Sequence, residues 1–308
     1  MNQLFILTYN VFWKTLEGVG KKYYCRNSPR NSPRNIPRNN SNDNKNCVKN
    51  LAKVIISFSK KIARDNGIIS EAVLDFVGLQ EIKGYLDIQG INLLNQIKLL
   101  YPDFDQYYGV DYSENPDISL DQELKAAKNT ALLTIYNRTK YINIKKIYVN
   151  LKGINKIKGS EDCRLCMINI FKIIENDQYI IFANCHFPHN KQIINIVKIS
   201  KVLNELKNIY LNSHVIIVGD FNQNPTKTNI NKLMSKSNYT FVDNTNLQQY
   251  NNLKTCCENN NYDKWYDQIY VSNNLAKQVK YVLGNITPFN IDNKNYSSDH
   301  KPLFCITN

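Results

Sequence analysis

Apolar runs in this sequence repeatedly stop at a residue able to do chemistry. Asn10 closes Leu4-Phe-Ile-Leu-Thr-Tyr9, Glu81 follows Phe76-Val-Gly-Leu-Gln80, and His186 follows Ile180-Ile-Phe-Ala-Asn-Cys185. Asp220 and Asn222 end the run His214-Val-Ile-Ile-Val-Gly219, and Asp299 and His300 stand just before a last run from Leu303. Any one of these would be at home in a turn, where Asp and Asn bond to nearby backbone. Their recurrence at strand ends is a different matter, because in layered sheets such ends converge on one crevice. Gathered there, Glu81, Asp220 and Asp299, with the carbonyl oxygens of Asn10 and Asn222, form a set of hard oxygen donors of the kind Mg2+ or Mn2+ takes. Carboxylates packed that closely repel one another unless a cation lies among them. His300 could pair with a further carboxylate such as Asp267, which fixes its tautomer and favours the imidazolium. A charged imidazole beside a metal suits phosphate.

The elements that must hold these residues follow from periodicity. Leu4 to Tyr9 reads as a buried strand, about Val48 to Arg64 as a helix, and Ala72 to Leu79 as a second strand, a β-α-β opening that predicts parallel pairing. Further elements are expected as a helix at about 91–100, strands near 128–136, 142–151, 164–173 and 179–184, and a long helix over roughly 191–210. The strand 215–218, a short helix near 228–235, and strands at 267–271, 280–283 and 303–307 complete the pattern. Strands outnumber helices and the two kinds mix along the chain, as in an α/β or α+β layered domain. One domain is expected over 1–308, since no long linker divides it.

Within it, Arg26-Asn-Ser-Pro-Arg-Asn-Ser-Pro-Arg-Asn-Ile-Pro-Arg38 repeats a proline every fourth position without apolar periodicity. Residues 26–46 are therefore expected as a mobile basic loop, either an arm that grips phosphates or a tolerated insertion. The chain carries 39 Lys and Arg against 26 Asp and Glu, a net charge of +13. That balance favours an anionic partner, nucleic acid first and an acidic membrane face second. The start, Met1-Asn-Gln-Leu-Phe-Ile-Leu-Thr8, lacks the basic region and apolar length of a signal peptide, and no run reaches the roughly 20 apolar residues of a membrane helix. A soluble intracellular protein with mostly reduced cysteines is the expectation. Zinc is disfavoured, because the spacing of Cys163 and Cys166 in a strand points them to opposite faces.

The ordered motifs Thr8-Tyr-Asn-Val11, Leu79-Gln-Glu81, Asn184-Cys-His-Phe187, Gly219-Asp-Phe-Asn222, Tyr266-Asp-Gln-Ile269 and Ser298-Asp-His-Lys-Pro302 span nearly the whole chain. Together they resemble the endonuclease/exonuclease/phosphatase superfamily, which includes pancreatic-type deoxyribonuclease, apurinic endonucleases, inositol-polyphosphate phosphatases, neutral sphingomyelinases and poly(A) deadenylases. The resemblance implies a DNase I-like four-layer αββα sandwich and a metal-dependent phosphoester hydrolase. By the same resemblance, Glu81 would be the principal metal ligand, with Asn10 and Asp299 beside it, and the metal would be Mg2+ or Mn2+. Asp220 would activate or orient the attacking water, and Asn222 would hold a phosphate oxygen. His300, oriented by Asp267, would stabilise the developing charge, and His186 would contact phosphate or protonate the leaving group. If extended geometry runs through Gly219-Asp-Phe-Asn222, Asp220 and Asn222 share one side and Phe221 anchors the other.

Two substrate classes stay open. The basic charge, the Arg26 to Arg38 repeat and the His186/His189 spacing point to a nuclease or related phosphodiesterase acting on DNA or RNA. Trp265-Tyr-Asp-Gln-Ile269 and Lys301-Pro302 are similar to inositol-polyphosphate and phosphoinositide phosphatases, with Gln268 where those have an arginine. His189 is either a second phosphate contact or a solvated residue at the start of the next helix. Arg164 matches an arginine that relatives often have and would support the site from behind. Lys125, Lys128 and Asn129 either line the groove or sit on a solvated face, and Tyr107, Tyr108 and Tyr112 either stack on bases or belong to the core and rim.

Overall fold

The computed structural model describes residues 4–11, 48–49, 51–57, 60, 64, 74–82, 93–100, 102–111, 132–154, 161–224, 234–241, 256, 264–276, 279–283, 300 and 302–307. The 26–46 segment, Lys125, Lys128, Asn129, Tyr112 and Asp299 lie outside them. The layering can be read from strand β1 (Leu4–Asn10), whose seven residues are all buried. Alternation sends Leu4 and Ile6 into one hydrophobic cluster and Phe5, Leu7 and Tyr9 into another. A strand covered on both faces belongs inside a multilayer fold.

Strand β1 pairs in parallel with β2 (Phe76–Gln80), which confirms the β-α-β opening; residues 48–49 and 51–57 between them are helical. The first sheet then adds β3 (Tyr107–Asp111), β4 (Leu133–Asn137), β11 (Val279–Leu283) and β12 (Leu303–Thr307), in the order β11-β12-β1-β2-β4-β3. The second sheet holds β5 (Tyr141–Ile154), β6 (Glu161–Ile173), β7 (Tyr179–His186), β8 (Ser213–Asp220), β9 (Tyr239–Phe241) and β10 (Asp267–Ser272), in the order β5-β6-β7-β8-β10-β9. Both sheets are mixed, with β1–β2 and β7–β8 parallel and the other pairs antiparallel.

Three apolar clusters separate the layers. The helical residues 48–49 and 51–57 and helix α1 (Leu93–Leu100) cover the outer face of the first sheet through Leu51, Ile55 and Ile97. Helix α2 (Gln192–Ile209) covers the outer face of the second through Ile196, Ile199 and Leu203. Between the sheets, Ile6, Phe76, Phe171, Phe182, Ile216 and Ile269 interdigitate. The result is helix, sheet, sheet, helix, the expected αββα sandwich. Among the described residues no helix is long and apolar enough to cross a membrane.

The structure decides or adds three points. Tyr107 is fully buried in β3, its hydroxyl bonded to the carbonyl of Leu74, so it is a core residue and not a stacking platform. Neither β3 nor the three-residue β9 is foreseen from the sequence pattern. Cys166, Cys185 and Cys305 are free thiols, whereas Cys256 is disulfide-bonded.

Candidate active site

The inner faces of the two sheets change character along their length. Alternate residues of β1 run Leu4, Ile6, Thr8, Asn10; those of β7 run Ile180, Phe182, Asn184, His186; those of β8 run Ile216, Val218, Asp220. Each begins apolar and ends polar. The register places the polar ends together: Asn10 beside Gln80, His186 beside Asp220, and Asp220 opposite Asp267. Period-two alternation therefore carries a hydrophobic interior into an ionisable crevice without leaving the sheets.

Asp220 is the centre of the crevice. Its Oδ1 accepts the backbone N–H of Asn222 at 2.7 Å and its Oδ2 accepts Asn10 Nδ2 at 2.9 Å. The same Oδ2 faces His186 Nε2 at 3.7 Å and His300 Nε2 at 3.9 Å. Asn10 Nδ2 also reaches Glu81 Oε1 at 3.4 Å, so one amide spaces two carboxylates that would otherwise repel. On the far side of His300, Nδ1 lies 2.7 Å from Asp267 Oδ2, and Asp267 is buried beneath it. An imidazole held by a carboxylate at one nitrogen and presented by the other is a defined donor or acceptor. Asn10, His186 and Asp220 are nearly inaccessible, while the Glu81 side chain keeps 13% of its surface exposed and opens the crevice to solvent.

Backbone geometry fits this task. Strand β8 turns at Gly219, with φ at +140°, where a Cβ would stand 1.9 Å from the carbonyl oxygen of Cys185. Only glycine allows that approach. Glu81 and Asn222 take left-handed φ values of 56° and 50° just past their strands, a conformation uncommon for a residue such as Glu. The extended geometry expected through Asn222 thus ends at Asp220. Phe221 still anchors the turn, stacking on Phe187 at 4.5 Å and packing on Tyr270. Asn222 donates one amide proton to the carbonyl of Phe187 at 2.8 Å.

Burial, offset in part by His300, raises the Asp220 carboxyl above its ordinary range; the nearby Asp267 pushes the same way. Burial, and then the positive charge of Arg164, His300 and His189, pushes the His186 imidazole well below its usual value. A neutral imidazole keeps a lone pair, and His186 Nδ1 is buried without a hydrogen-bond partner among the described residues. Glu81, His186 and Asp220 each offer a ligand atom within 4.8 Å of the others. Two carboxylates and a neutral imidazole fit a divalent cation, whose charge would relieve the burial of Asp220.

Of the other residues singled out, Arg164 sits half-buried in β6, near enough for its charge to act on His186. His189 is exposed in a turn that Asn190 fastens to Ile154, three residues before α2. Tyr108 lies beside Tyr136 at the opposite end of the sheet from Glu81, under Arg138 and Lys98. Gln268 points away from the crevice and donates to the carbonyls of Gln223 and Trp265, so it braces the segment after Asp220. Sequence reasoning overlooked three residues near the site. Gln80 and Asn184 sit inside quoted motifs as buried amides, and Cys256 brings its sulfur within 3.3 Å of His300 Nε2.

An αββα sandwich with carboxylates, amides and two histidines at one end of its paired sheets defines a class of hydrolases that act on phosphoesters. The chain belongs to the endonuclease/exonuclease/phosphatase family, whose model matches residues 7–300. Members of the family are generally dependent on a divalent metal. Similar solved structures include the human Nocturnin catalytic domain with bound sulfate, at 15% identity over 99% of this chain and 94% of that one, with a TM-score of 0.59. A mannosyl-6-phosphatase from Bacteroides thetaiotaomicron shares 17% identity over 98% of both chains, with a TM-score of 0.57. D. rerio TDP2 complexed with a single-strand DNA product shares 14% over 100% of both, with a TM-score of 0.55. No curated protein matches by sequence.

Proposed function

We propose that this phosphoesterase is a divalent-metal-dependent nuclease or phosphodiesterase that cleaves DNA or RNA by in-line attack of an activated water. The observation that carries the reading is the convergence on Asp220 Oδ2 of His186 Nε2 at 3.7 Å and His300 Nε2 at 3.9 Å, with Asp267 fixing His300 from behind. Asp220 orients the water and takes its proton, a role its raised pKa favours over that of an ordinary carboxylate. Asn222 has a second amide proton for a phosphate oxygen, and His300 meets the charge that develops on the phosphorus oxygens. His186 lies where it can contact phosphate or serve the leaving group.

Glu81, with Asn10 and Asp299, would hold Mg2+ or Mn2+, and the imidazole of His186 and the Asp220 carboxylate stand close enough to share it. The amide of Asn10, turned about its Cβ–Cγ bond, presents a carbonyl oxygen to a cation in place of its N–H. Bound there, the metal neutralises phosphate charge and lowers the pKa of water.

The net charge of +13, to which the Arg26 to Arg38 repeat contributes, supports a polyanionic substrate. The bound product named for D. rerio TDP2 is in keeping with this choice. The alternative, a phosphatase of inositol phosphates or phosphoinositides, is supported by Trp265-Tyr-Asp267 and weakened by Gln268, which is buried and bonded to backbone at the position where those enzymes have an arginine. Labelled DNA, RNA and inositol phosphates incubated with Mg2+ decide between them. Cut nucleic acid supports the first reading; released inorganic phosphate with intact nucleic acid supports the second.

A further inference from the structure

The crevice is divided between two sheets. Asn10 and Glu81 come from β1 and the end of β2, whereas His186, Asp220 and Asp267 come from β7, β8 and β10. The contacts across it are short, 2.9 Å from Asn10 to Asp220 and 3.6 Å from Glu81 to His186, so a slip between the sheets would dismantle the site. Apolar faces pack without direction and do not by themselves fix such a spacing.

Directly beneath the site the inter-sheet layer is polar. From β7, Asn184 Nδ2 donates to the carbonyls of Leu79 at 3.1 Å and Leu133 at 3.0 Å, where the β2–β4 pairing ends. Its Oδ1 accepts Gln80 Nε2 at 2.8 Å, and the same nitrogen reaches Thr8 Oγ1 and the carbonyl of Gly78, both at 3.0 Å. One buried amide therefore ties β7 directly to β2 and β4, and to β1 through Gln80. Both of its donors and its acceptor are used, which leaves a single satisfied orientation. Gly78 permits the approach, since a Cβ there would stand 2.6 Å from Val218 Cγ2 and 3.3 Å from Asn184 Cγ. Along the chain Asn184 is two residues before His186 on the same face, and Gln80 immediately precedes Glu81.

We infer that Asn184, acting through Gln80, is a positioning residue that sets the distance between Glu81 on one sheet and the His186–Asp220 pair on the other. Hydrogen bonds have narrow length ranges, and groups that orient a metal site from behind influence affinity as well as turnover. The inference rests on the divalent site proposed above.

The test uses the full chain with Mn2+ alone, free ion being followed by electron paramagnetic resonance, and two shape-conserving variants, Asn184→Leu and Gln80→Met. In each variant that melts cooperatively, the Mn2+ dissociation constant is expected to rise 10- to 100-fold, and kcat is expected to fall more than KM changes. Asn184→Leu gives the larger effect because it loses the direct bonds from β7 to both β2 and β4. A role confined to stability lowers the melting temperature and leaves Mn2+ affinity of the folded protein unchanged. Affinity within twofold of wild type in a folded variant, or failure of both variants to fold, overturns the inference while the metal site stands. No Mn2+ binding by the wild type overturns both.

Discussion

At the scale of single residues, His300 and Asp267 act as one unit, joined at 2.7 Å. Replacing either removes the same oriented imidazole, so His300→Ala and Asp267→Asn should each lower kcat by about 100- to 10,000-fold. The double variant should be little worse than the poorer single one, as for groups that function together. Steady-state kinetics on an activated phosphodiester measures this; multiplied losses would show the two residues acting separately. Asp220→Asn removes the carboxylate on which three side chains and a backbone amide converge, and the same kinetics should show its activity near background. Retained turnover in that variant would move the base elsewhere.

Elements hold these groups by backbone as much as by side chain. Gly219 is the sharpest case, since its φ of +140° and the Cys185 carbonyl both exclude a Cβ. Gly219→Ala should cost at least about 1–3 kcal/mol from backbone strain alone, read as a lower denaturation midpoint; an unchanged midpoint would mean that β7 and β8 yield more easily than their packing indicates.

Much of this scale was legible in the sequence. The expected last strand, 303–307, matches the observed one to the residue, and the expected 179–184 strand ends two residues short of β7, because apolar runs bounded by polar residues or proline have one periodic reading. Asn10, Glu81, His186 and Asp220 stand out because each ends such a run, His300 because it stands just before one, and Asp267 as the carboxylate that could pair with His300. What stayed hidden depends on partners distant in sequence. The turn at Asn222 is held by a bond to Phe187, 35 residues away, and β3 takes its place by pairing with β4. The Gln80–Asn184 contact joins residues 104 apart, and Cys256 meets His300 across 44.

At the scale of the molecule, the end of the sheets away from the site carries its own buried charge. Asp75 accepts the Phe5 N–H at 2.8 Å, Lys140 Nζ at 2.9 Å and the Tyr141 hydroxyl at 3.1 Å. Burial raises its pKa in spite of Lys140. A carboxyl with a folded-state pKa above its unfolded value, about 3.9, contributes more favourably as pH falls through that interval. Wild type should therefore lose less stability than Asp75→Asn between pH 7 and pH 4. Thermal melts at the two values check this, and a wild type that loses more stability on acidification than Asp75→Asn does would contradict it.

The charge of +13 also belongs to the whole molecule. If it gathers a polyanion, the logarithm of affinity for nucleic acid should fall linearly and steeply with the logarithm of salt concentration. The central claim, metal-dependent cleavage of nucleic acid at this crevice, is tested most directly by one assay. Labelled single- and double-stranded DNA and RNA are incubated at low salt with Mg2+, with chelator, and with Mg2+ and the Asp220→Asn variant. The account predicts cleavage by the wild type with Mg2+ and intact substrate in the other two arms; intact substrate in all three, or cleavage that survives chelator or the substitution, would contradict it.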